Sequence, residues 1–449
     1  MNVKKSLLLD LYELTMAQSY LEFKPDVQAT FDLFVRNMPA NRSYFVAAGL
    51  EDALNYLENL KFDQEAREYL KKQNLFSAKF LDYLKDFKFK GDCSALAEGT
   101  IFFAQEPVIR ITANIIEAQI VESYLLNTIN FQTLIATKAA RIVSVARGRE
   151  VFDFALRRTH GSDAALKVAR AAYLAGFRGS SCVFAGMLYG IPITGTMAHS
   201  YVMSFKNELA SFRAYAKIFP KRTVLLVDTY NCEEGIGNAI IVAKELEKKG
   251  FRLAGIRLDS GDIARLSKWA RKRLDGDGLN YVKIFASGNL DEYKIEKLIK
   301  NGAKIDSFGV GTNMGVSSDA PYLDGIYKIS EVSDTNGAFL PKMKLSRGKV
   351  THPGRKQVYR IRDKEGNYLK DILGLENEHL PGEPLLVKVM EKGKIIYKKP
   401  TLEKIRDFTQ KNLACLPHKY KNLDKSAHYP VIISPELKRL IHALSRDLR

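Results

Sequence analysis

The sequence predicts an α/β protein in which an irregular (β/α) barrel is combined with a second, α+β domain built from the two ends of the chain. The main observation is a repeat between about residue 140 and residue 330, in which short apolar segments end in Asp, Ser, Gly or Thr and alternate with amphipathic helices. Roughly six or seven such units are more than an ordinary doubly wound sheet needs, and they approach the number in a barrel.

The repeat is clearest in four segments whose polar residues follow a predicted strand: TVLLVDTY (223–230), LAGIRLDSGD (253–262), VKIFASGNLDE (282–292) and IDSFGVGTNMG (305–315). Helical patterns lie between them at 237–250, 262–274 and 291–303. Further units are predicted upstream, with strands in EVFDFALRR (150–158), SSCVFAGMLYG (180–190) and IPITGTMAHS (191–200). We therefore place the barrel, which is the expected catalytic domain, at residues 136–335.

The flanks differ from the repeat. Residues 1–135 mix amphipathic helices with isolated strands, which predicts a smaller α+β domain. Residues 336–449 are predicted to form β-hairpins and a helical segment, with turns at Glu365-Gly366 and Lys392-Gly393. We expect the part at 340–400 to pack back onto the N-terminal domain.

Composition narrows the class of protein. The 449 residues carry a net charge of +18, and residues 331–449, with 25 Lys and Arg against 14 Asp and Glu, supply +11 of it. These charges are interleaved with acids, so we interpret them as a solvated face and expect neither a nucleic-acid nor a membrane partner. No stretch reaches the length of a membrane helix, and four widely spaced cysteines indicate neither a zinc knuckle nor a disulfide framework. The expected location is a reducing cytoplasm.

In a (β/α) barrel the chemistry lies at the carboxyl ends of the strands. The residues that fall there are Arg157, Arg158, Ser180, Ser181, Thr196, His199, Asp228, Arg257, Asp259, Ser287, Gly288, Gly311 and Thr312. If the strands close into a barrel, these residues lie around the same end of it, and their convergence there predicts a functional site.

Two motifs at these ends allow more than one interpretation. The glycine-rich SFGVGTNMG and ASGNLD can cradle a phosphate, although each can also be a simple tight turn. In RLDSGD, carboxylates can bind ribose hydroxyls or a divalent metal and Arg257 can bind a carboxylate. The alternative is an ion pair with a helix N-cap at Ser260 or Asp262.

His199 is the histidine of GTMAHS, and only one other histidine, His160, precedes residue 351. A structural role is the default for a lone histidine, a metal ligand lacks partners at suitable spacing, and a general base or nucleophile remains open. The residues alone do not decide among these roles.

Eight motifs, in order along nearly the whole chain, resemble the nicotinate phosphoribosyltransferase family. They are DLYELTMAQSY (10–20), LRR (156–158), GTMAHS (195–200), VDTY (227–230), RLDSGD (257–262), SGNLDE (287–292), GVGT (309–312) and KLSRGKVTHPGRKQVYR (344–360). The resemblance implies an irregular barrel of the type II phosphoribosyltransferase kind. It also implies an enzyme that joins nicotinate to phosphoribosyl diphosphate, with coupled ATP hydrolysis, in NAD salvage.

The resemblance also implies roles for individual residues. His199 is the expected phosphohistidine, and Asp259 is expected to contact the ribose. Tyr12, Thr196 and Arg257 are expected to bind nicotinate, with Tyr12 stacked on the ring and Arg257 on the carboxylate. The expected phosphoribosyl diphosphate ligands are Thr312, Gly311, Gly288, Arg158 and Lys138.

The family further implies Mg²⁺ on the diphosphate, ATP as co-substrate and a homodimer with shared active sites. The alternative is nicotinamide phosphoribosyltransferase. The two enzymes are distinguished by the residue beside the substituent of the pyridine ring: a buried arginine there favours the acid, whereas a carboxylate favours the amide. Some relatives carry a C-terminal zinc knuckle, but here only Cys415 lies in the tail, so we expect no structural zinc and assign no metal-ligating residue.

Overall fold

The structure, a computed structural model, describes residues 4–346, 349 and 351–447. The motif at 344–360 therefore lies partly outside the described residues. The helices are α1 (Leu11–Phe23), α2 (Leu50–Asn59), α3 (Gln64–Lys72), α4 (Ala78–Tyr83), α5 (Ile115–Ile120), α6 (Glu122–Ala146), α7 (Ser162–Leu174), α8 (Val183–Tyr189), α9 (His199–Met203), α10 (Glu208–Ile218), α11 (Cys232–Glu247), α12 (Ile263–Gly276), α13 (Glu292–Lys300), α14 (Thr312–Gly315), α15 (Leu402–Cys415) and α16 (Pro435–Asp447).

The strands are β1 (Gln28–Val35), β2 (Phe45–Val46), β3 (Asp92–Leu96), β4 (Ile101–Phe102), β5 (Pro107–Asn114), β6 (Glu150–Asp153), β7 (Gly179–Ser180), β8 (Val224–Leu226), β9 (Gly255–Leu258), β10 (Lys283–Ala286), β11 (Ser307–Val310), β12 (Gly325–Ser333), β13 (Phe339–Pro341), β14 (Lys356–Arg362), β15 (Tyr368–Leu375), β16 (Glu383–Pro384), β17 (Leu386–Glu391), β18 (Lys394–Ile395) and β19 (Val431–Ile433). Short 3₁₀ helices lie at Lys5–Leu7, Leu156–Arg158 and His418–Tyr420.

The chain divides into two compact units, one of residues 1–137 and 322–449 and the other of residues 138–321. This division ends the second unit at 321, whereas the sequence places the barrel boundary at 335. The difference arises because β12 pairs with β1 along most of its length and so belongs to the sheet of the first unit.

The first unit is an α+β domain around a seven-stranded antiparallel sheet of order β13-β12-β1-β5-β3-β17-β18. The C-terminal β17 and β18 form one edge of this sheet, next to β3. In the central β1, Asp32 is buried and forms an ion pair with Lys356 at 2.7 Å. A separate sheet of order β16-β14-β15-β19 contains the hairpin that turns at Glu365-Gly366, as predicted.

The second unit is an α/β domain with a six-stranded parallel sheet of order β7-β6-β11-β10-β9-β8. The first strand of the unit, β6, pairs with its last strand, β11, and a single bridge from Ser180 to Ile193 extends the sheet beyond β7. This order is typical of a barrel with an irregular side between Ile193 and β8. The α/β class, the parallel sheet and the separate α+β domain are confirmed, and closure of the barrel stays a prediction.

The upstream strand predictions are only partly right. In SSCVFAGMLYG the apolar run forms α8, and the neighbouring strand β7 is only two residues long. The helix ends at Gly190, whose φ of +69° closes a left-handed C-cap that favours glycine. A short apolar run without alternation fits a strand or a helix, which is why the pattern misleads here.

Among the described residues, no helix is long and apolar enough to cross a membrane.

Candidate active site

Three of the predicted strand-end residues, Thr196, Asp259 and Ser287, contact the guanidinium of Arg257 at the end of β9. Its Nε donates to Ser287 Oγ at 2.9 Å, and its Nη2 donates to Asp259 Oδ1 at 3.0 Å. Its Nη1 donates to Thr196 Oγ1 at 2.5 Å and to the backbone oxygen of Met197 at 3.3 Å. Three polypeptide segments, 196–197, 257–259 and 287, are thus tied together by one side chain.

A guanidinium has five N–H donors, and these four contacts leave one on Nη2 without a partner among the described residues. The Arg257 side chain is 12% exposed, so this donor lies in a largely dry environment. Arg257 can therefore bind one oxygen of a ligand directly, and a second only by giving up a present contact.

Asp259 occupies the centre of the cluster. Burial disfavours its charged form, but the hydrogen bond from Ser287 and the charge of Arg257 outweigh that cost, so the pKa of this carboxyl lies below its usual value. Asp259 is therefore ionised at neutral pH. Its Oδ2 lies 3.7 Å from His199 Nε2.

His199 begins α9 and is half-exposed, with 40% of its side chain accessible. Its Nδ1 lies 3.1 Å from Thr229 Oγ1, which belongs to the VDTY motif after β8. Because Thr229 occupies Nδ1, the nitrogen that remains available to a ligand is Nε2, beside Asp259. A half-exposed ring held at one nitrogen between two strand ends is an arrangement that suits chemistry at the other nitrogen.

Asp228 lies at the end of β8 and holds the neighbouring loop. Its Oδ2 accepts hydrogen bonds from the backbone N–H of Asp259 at 3.0 Å and from Ser260 Oγ at 2.6 Å. Its Oδ1 is buried and has no hydrogen-bond partner among the described residues. In the RLDSGD motif, Asp262 accepts a hydrogen bond from Arg265 N and caps α12. Asp262 therefore has the helix N-cap role that was the alternative to ligand binding.

Gly288 and Gly311 lie at the ends of β10 and β11, where the sequence predicts a phosphate site. Gly288 has a φ of +95°, and a Cβ there would lie 1.8 Å from the backbone oxygen of Asp259. At Gly311 a Cβ would lie 2.9 Å from the backbone oxygen of Phe154. Both positions therefore require glycine for close approach of two strand ends.

Replacing Gly288 by alanine should destabilise the protein by about 2–3 kcal/mol and abolish most activity, since the new Cβ must push the backbone of Asp259 away from Arg257. The matched control is Gly237→Ala in α11, where a Cβ meets nothing within 4 Å. Thermal unfolding and initial rates on both variants test this. Equal behaviour of the two variants would contradict the role given to Gly288.

The 3₁₀ helix that carries Arg158 contacts the short helix α14 that begins at Thr312, on the β6–β11 side of the sheet. Phe154 N donates to Val310 O at 2.8 Å, which joins the start of the 3₁₀ helix carrying Arg158 to the strand before Gly311. Arg158 and Thr312 are both exposed. The two segments are therefore neighbours, and the role of Arg158 and Thr312 as phosphate ligands stays a prediction.

Lys138 is placed differently from its predicted role. It is fully buried in α6, where its Nζ lies 2.6 Å from Glu292 Oε2 and 2.6 Å from Asp319 Oδ1. Two carboxylates already compensate this ammonium, so the structure gives no support to Lys138 as a diphosphate ligand. Lysine in a helix before the first barrel strand carries no sequence signal that separates a buried ion pair from a ligand.

Tyr12 belongs to the first unit and lies in the first turn of α1, partly exposed. Burial and then the nearby Glu122 raise the pKa of its phenol, so the ring stays neutral. Its stacking on a pyridine ring stays a prediction.

The sequence named Ser287 as a strand-end residue without giving it a role, and it did not single out Thr229 or Asp153. Ser287 bridges Arg257 and Asp259, Thr229 lies against His199, and Asp153 supports the end of β6. Thr229 follows a predicted strand and Asp153 ends one, and these positions are the signal that could have identified them.

Asp153 is a buried carboxyl at the end of β6. Its Oδ1 accepts from Ala155 N at 2.8 Å and its Oδ2 from Ser180 Oγ at 2.6 Å, so it fixes the turn that leads to Arg158. Burial raises its pKa to about 6, and these two hydrogen bonds only partly oppose the increase.

The raised pKa predicts how stability depends on pH. The folded protein holds the proton of Asp153 up to about pH 6 whereas the unfolded chain loses it near pH 4, so ionisation costs stability. Between these two pH values the free energy of unfolding should fall by about 3 kcal/mol as pH rises. The Asp153→Asn variant should lack this pH dependence. Urea unfolding from pH 4 to 7 measures it, with the exposed Asp163→Asn as control. A wild-type-minus-variant difference that stays constant with pH would refute it.

A parallel strand–helix domain with an arginine, a histidine and two aspartates at its strand ends defines the class of the protein as an α/β enzyme with a polar strand-end site. Family models identify it further. The N-terminal domain of nicotinate phosphoribosyltransferase matches residues 7–130, the nicotinate phosphoribosyltransferase family matches 150–335, and the C-terminal domain matches 381–441. The chain belongs to the nicotinate phosphoribosyltransferase family.

Individual relatives agree with the family models. The chain is 46% identical to nicotinate phosphoribosyltransferase pncB2 of Mycobacterium tuberculosis over 98% of this chain and 94% of the relative. It is 39% identical to nicotinate phosphoribosyltransferase of Bacillus subtilis over 96% and 93%. The crystal structure of human nicotinic acid phosphoribosyltransferase superposes with a TM-score of 0.86 at 28% identity and covers 98% of this chain and 100% of that one.

Proposed function

We propose that this protein is a nicotinate phosphoribosyltransferase, which joins nicotinate to the ribose of phosphoribosyl diphosphate and releases diphosphate. ATP hydrolysis is coupled to the reaction, which serves NAD salvage in the cytoplasm. The observation that carries the proposal is the Arg257 cluster, a largely buried cation at the strand ends beside two loops that require glycine. It offers adjacent sites for a carboxylate and for a phosphorylated ribose.

Selectivity for the acid rests on Arg257. Its remaining Nη2 proton can donate to one carboxylate oxygen of nicotinate, and the Thr196 hydroxyl lies at the same guanidinium. An amide would present its own N–H groups to this cation as well as its oxygen, which makes nicotinamide the poorer ligand. A charge-assisted hydrogen bond in a dry site discriminates strongly between the two.

The reaction needs little covalent chemistry from the protein. As diphosphate departs, positive charge develops on the ribose, and the pyridine nitrogen attacks the same carbon. Asp259 is ionised and fixed by Arg257 and Ser287, so it can stabilise that charge without rearranging. Gly288, Gly311, Thr312 and Arg158 would hold the 5′-phosphate and the diphosphate, and this alignment supplies most of the rate enhancement.

His199 is the proposed acceptor of the phosphoryl group of ATP. Transfer to Nε2 breaks the bond to ADP, and later hydrolysis of the phosphohistidine returns phosphate. Thr229 at Nδ1 fixes the ring, and the negative Asp259 beside Nε2 favours release of an anionic phosphoryl group. This arrangement supports a transient phosphohistidine.

Magnesium is proposed to enter with the diphosphate, where it stabilises the leaving group. The described residues include no group of three or more His, Cys, Asp or Glu that could hold a metal by themselves. The donor set is nonetheless suitable for a diphosphate-bound ion, because the buried and unpartnered Asp228 Oδ1 can accept a hydrogen bond from a coordinated water. A homodimer with shared active sites, in which Tyr12 stacks on the ring, completes the proposal.

The experiment that tests the function compares initial rates with nicotinate, nicotinamide and quinolinate, each with phosphoribosyl diphosphate and Mg²⁺, with and without ATP. We expect nicotinate to react with a kcat/KM at least about 100-fold above that of the others and ATP to stimulate it. A higher rate with nicotinamide would establish the alternative, nicotinamide phosphoribosyltransferase, and overturn the role of Arg257.

A further inference from the structure

The two glycine loops that the proposed function assigns to phosphate follow β10 and β11 in the second unit. The ladder between these two strands ends at the pair formed by Ala286 and Phe308, before either loop begins. Side chains join the two segments again after the loops, where the first turn of α13, residues 291–293, contacts the segment 313–319. These contacts are a direct link between the chain that leaves one glycine loop and the chain that leaves the other.

Two hydrogen bonds form this link. Asn313 Nδ2 donates to Asp291 Oδ2 at 2.9 Å, while Asp291 Oδ1 caps α13 by accepting from Lys294 N, also at 2.9 Å. The hydroxyl of Tyr293 donates to Asp319 Oδ2 at 3.3 Å. Asp291 thus fixes its own helix with one oxygen and the neighbouring segment with the other. We call the four residues Asp291, Tyr293, Asn313 and Asp319 the loop bridge.

A buried ion network anchors the loop bridge. Lys138 Nζ lies 2.6 Å from Asp319 Oδ1 and 2.6 Å from Glu292 Oε2, and the side chains of Lys138 and Glu292 are fully buried. Glu292 Oε1 accepts from Arg141 Nε at 2.9 Å, and Arg141 Nη2 donates to the hydroxyl of Tyr293 at 3.1 Å. Buried charges add little net stability over an apolar core, whereas their pairing fixes the orientation of the segments that carry them.

A phosphate that is held by two loops is sensitive to the spacing of those loops. Charge-assisted hydrogen bonds are short, so backbone N–H donors lose contact with the phosphate when one loop moves away from the other. A misplacement of about 1 Å can cost about 100-fold in a reaction that depends on alignment. The loop bridge follows both glycine loops in the chain and can therefore set the distance between them.

We propose that Asp291, Tyr293 and Asn313 are positioning residues for phosphoribosyl diphosphate, which act by holding the two glycine loops at the spacing that its 5′-phosphate requires. This inference rests on the proposed function, since it takes the glycine loops as the phosphate site. It also gives Lys138 a role as the anchor of Asp319 in place of the ligand role expected from the sequence.

The test is isothermal titration calorimetry of the full chain with phosphoribosyl diphosphate and Mg²⁺, without nicotinate or ATP. Asn313→Ala and Asp291→Ser each remove the hydrogen bond between the segments, and serine retains the N-cap of α13. We expect each variant to raise the Kd about tenfold. The double variant should bind no more weakly than either single variant, because both changes remove the same contact. A loss of about 100-fold in the double variant, the product of two independent effects, would overturn the link.

Asn238→Ala is the matched control. Asn238 Nδ2 donates to Glu208 Oε2 at 2.9 Å and joins α11 to α10 in the same unit, away from the glycine loops. Asn238→Ala and Asn313→Ala should lower the melting temperature by similar amounts, but only Asn313→Ala should weaken binding. In steady-state kinetics Asn313→Ala should raise the KM for phosphoribosyl diphosphate about tenfold and the KM for nicotinate less than about twofold.

The titrations distinguish failure of this inference from failure of the proposed function. If the wild-type protein does not bind phosphoribosyl diphosphate, both are overturned. If the wild type binds it and the variants bind it equally well, the inference alone is overturned. Should Asn313→Ala or Asp291→Ser fail to fold, as judged by circular dichroism, Tyr293→Phe decides. It removes one hydroxyl and should raise the Kd about threefold, and an unchanged Kd would refute the positioning role.

Discussion

Replacing Arg257 by glutamine is expected to lower kcat/KM for nicotinate by about 10²–10³-fold while lowering the rate with nicotinamide much less. The variant loses a charged donor in a site where the side chain is only 12% exposed, and a charge-assisted contact there accounts for about 3–4 kcal/mol. Steady-state kinetics with both substrates measures the change.

The comparison between substrates separates binding from positioning. Arg257 also holds Asp259 and Ser287, so a purely structural loss would slow both substrates equally. Arg265→Gln is the matched control, because that exposed arginine lies on α12 of the same unit and pairs with Glu233 at 3.3 Å. An equal loss with acid and amide would contradict the assignment of Arg257 to the carboxylate.

Replacing His199 by alanine is expected to remove ATP stimulation and to lower ATP hydrolysis by about 100-fold or more, while ATP-independent formation of product persists. The phosphoryl acceptor is lost, but Arg257, Asp259 and the glycine loops are unchanged. Rates with and without ATP measure the effect, together with incorporation of ³²P from labelled ATP into the protein.

His160→Ala is the control for this prediction, since His160 is an exposed histidine in the same unit. The His160→Ala variant should retain both the ³²P label and the stimulation of the rate by ATP. If His199→Ala retained the label or the stimulation, His199 would not be the phosphorylated residue.

The fold could be predicted where several signals agree. In the segments that contain β8 to β10, an apolar run, a polar tip and a capped amphipathic helix coincide, and the caps Asn231, Asp262 and Asp291 all accept hydrogen bonds from their helices. Around β7 the only signal was an apolar run, and it formed helix α8 instead. Long-range pairing, such as that between β12 and β1, depends on contacts that no local pattern records.

The candidate site, like the fold, could be predicted from the sequence only in part. The sequence indicated Thr196, His199, Arg257 and Asp259 because each follows a predicted strand, and parallel strand ends meet. It could not show that Lys138 is buried between Glu292 and Asp319, because burial of a charged residue depends on partners that lie about 150 residues or more away along the chain. Nor could it show that Arg257 already makes four contacts and retains one donor.

The central claim is tested most directly by identifying the product. Wild-type protein incubated with nicotinate, phosphoribosyl diphosphate, Mg²⁺ and ATP should yield nicotinate mononucleotide and diphosphate in equal amounts, as measured by mass spectrometry and a diphosphate assay. Absence of the mononucleotide under these conditions, with nicotinamide mononucleotide formed when nicotinamide replaces the acid, would contradict the account.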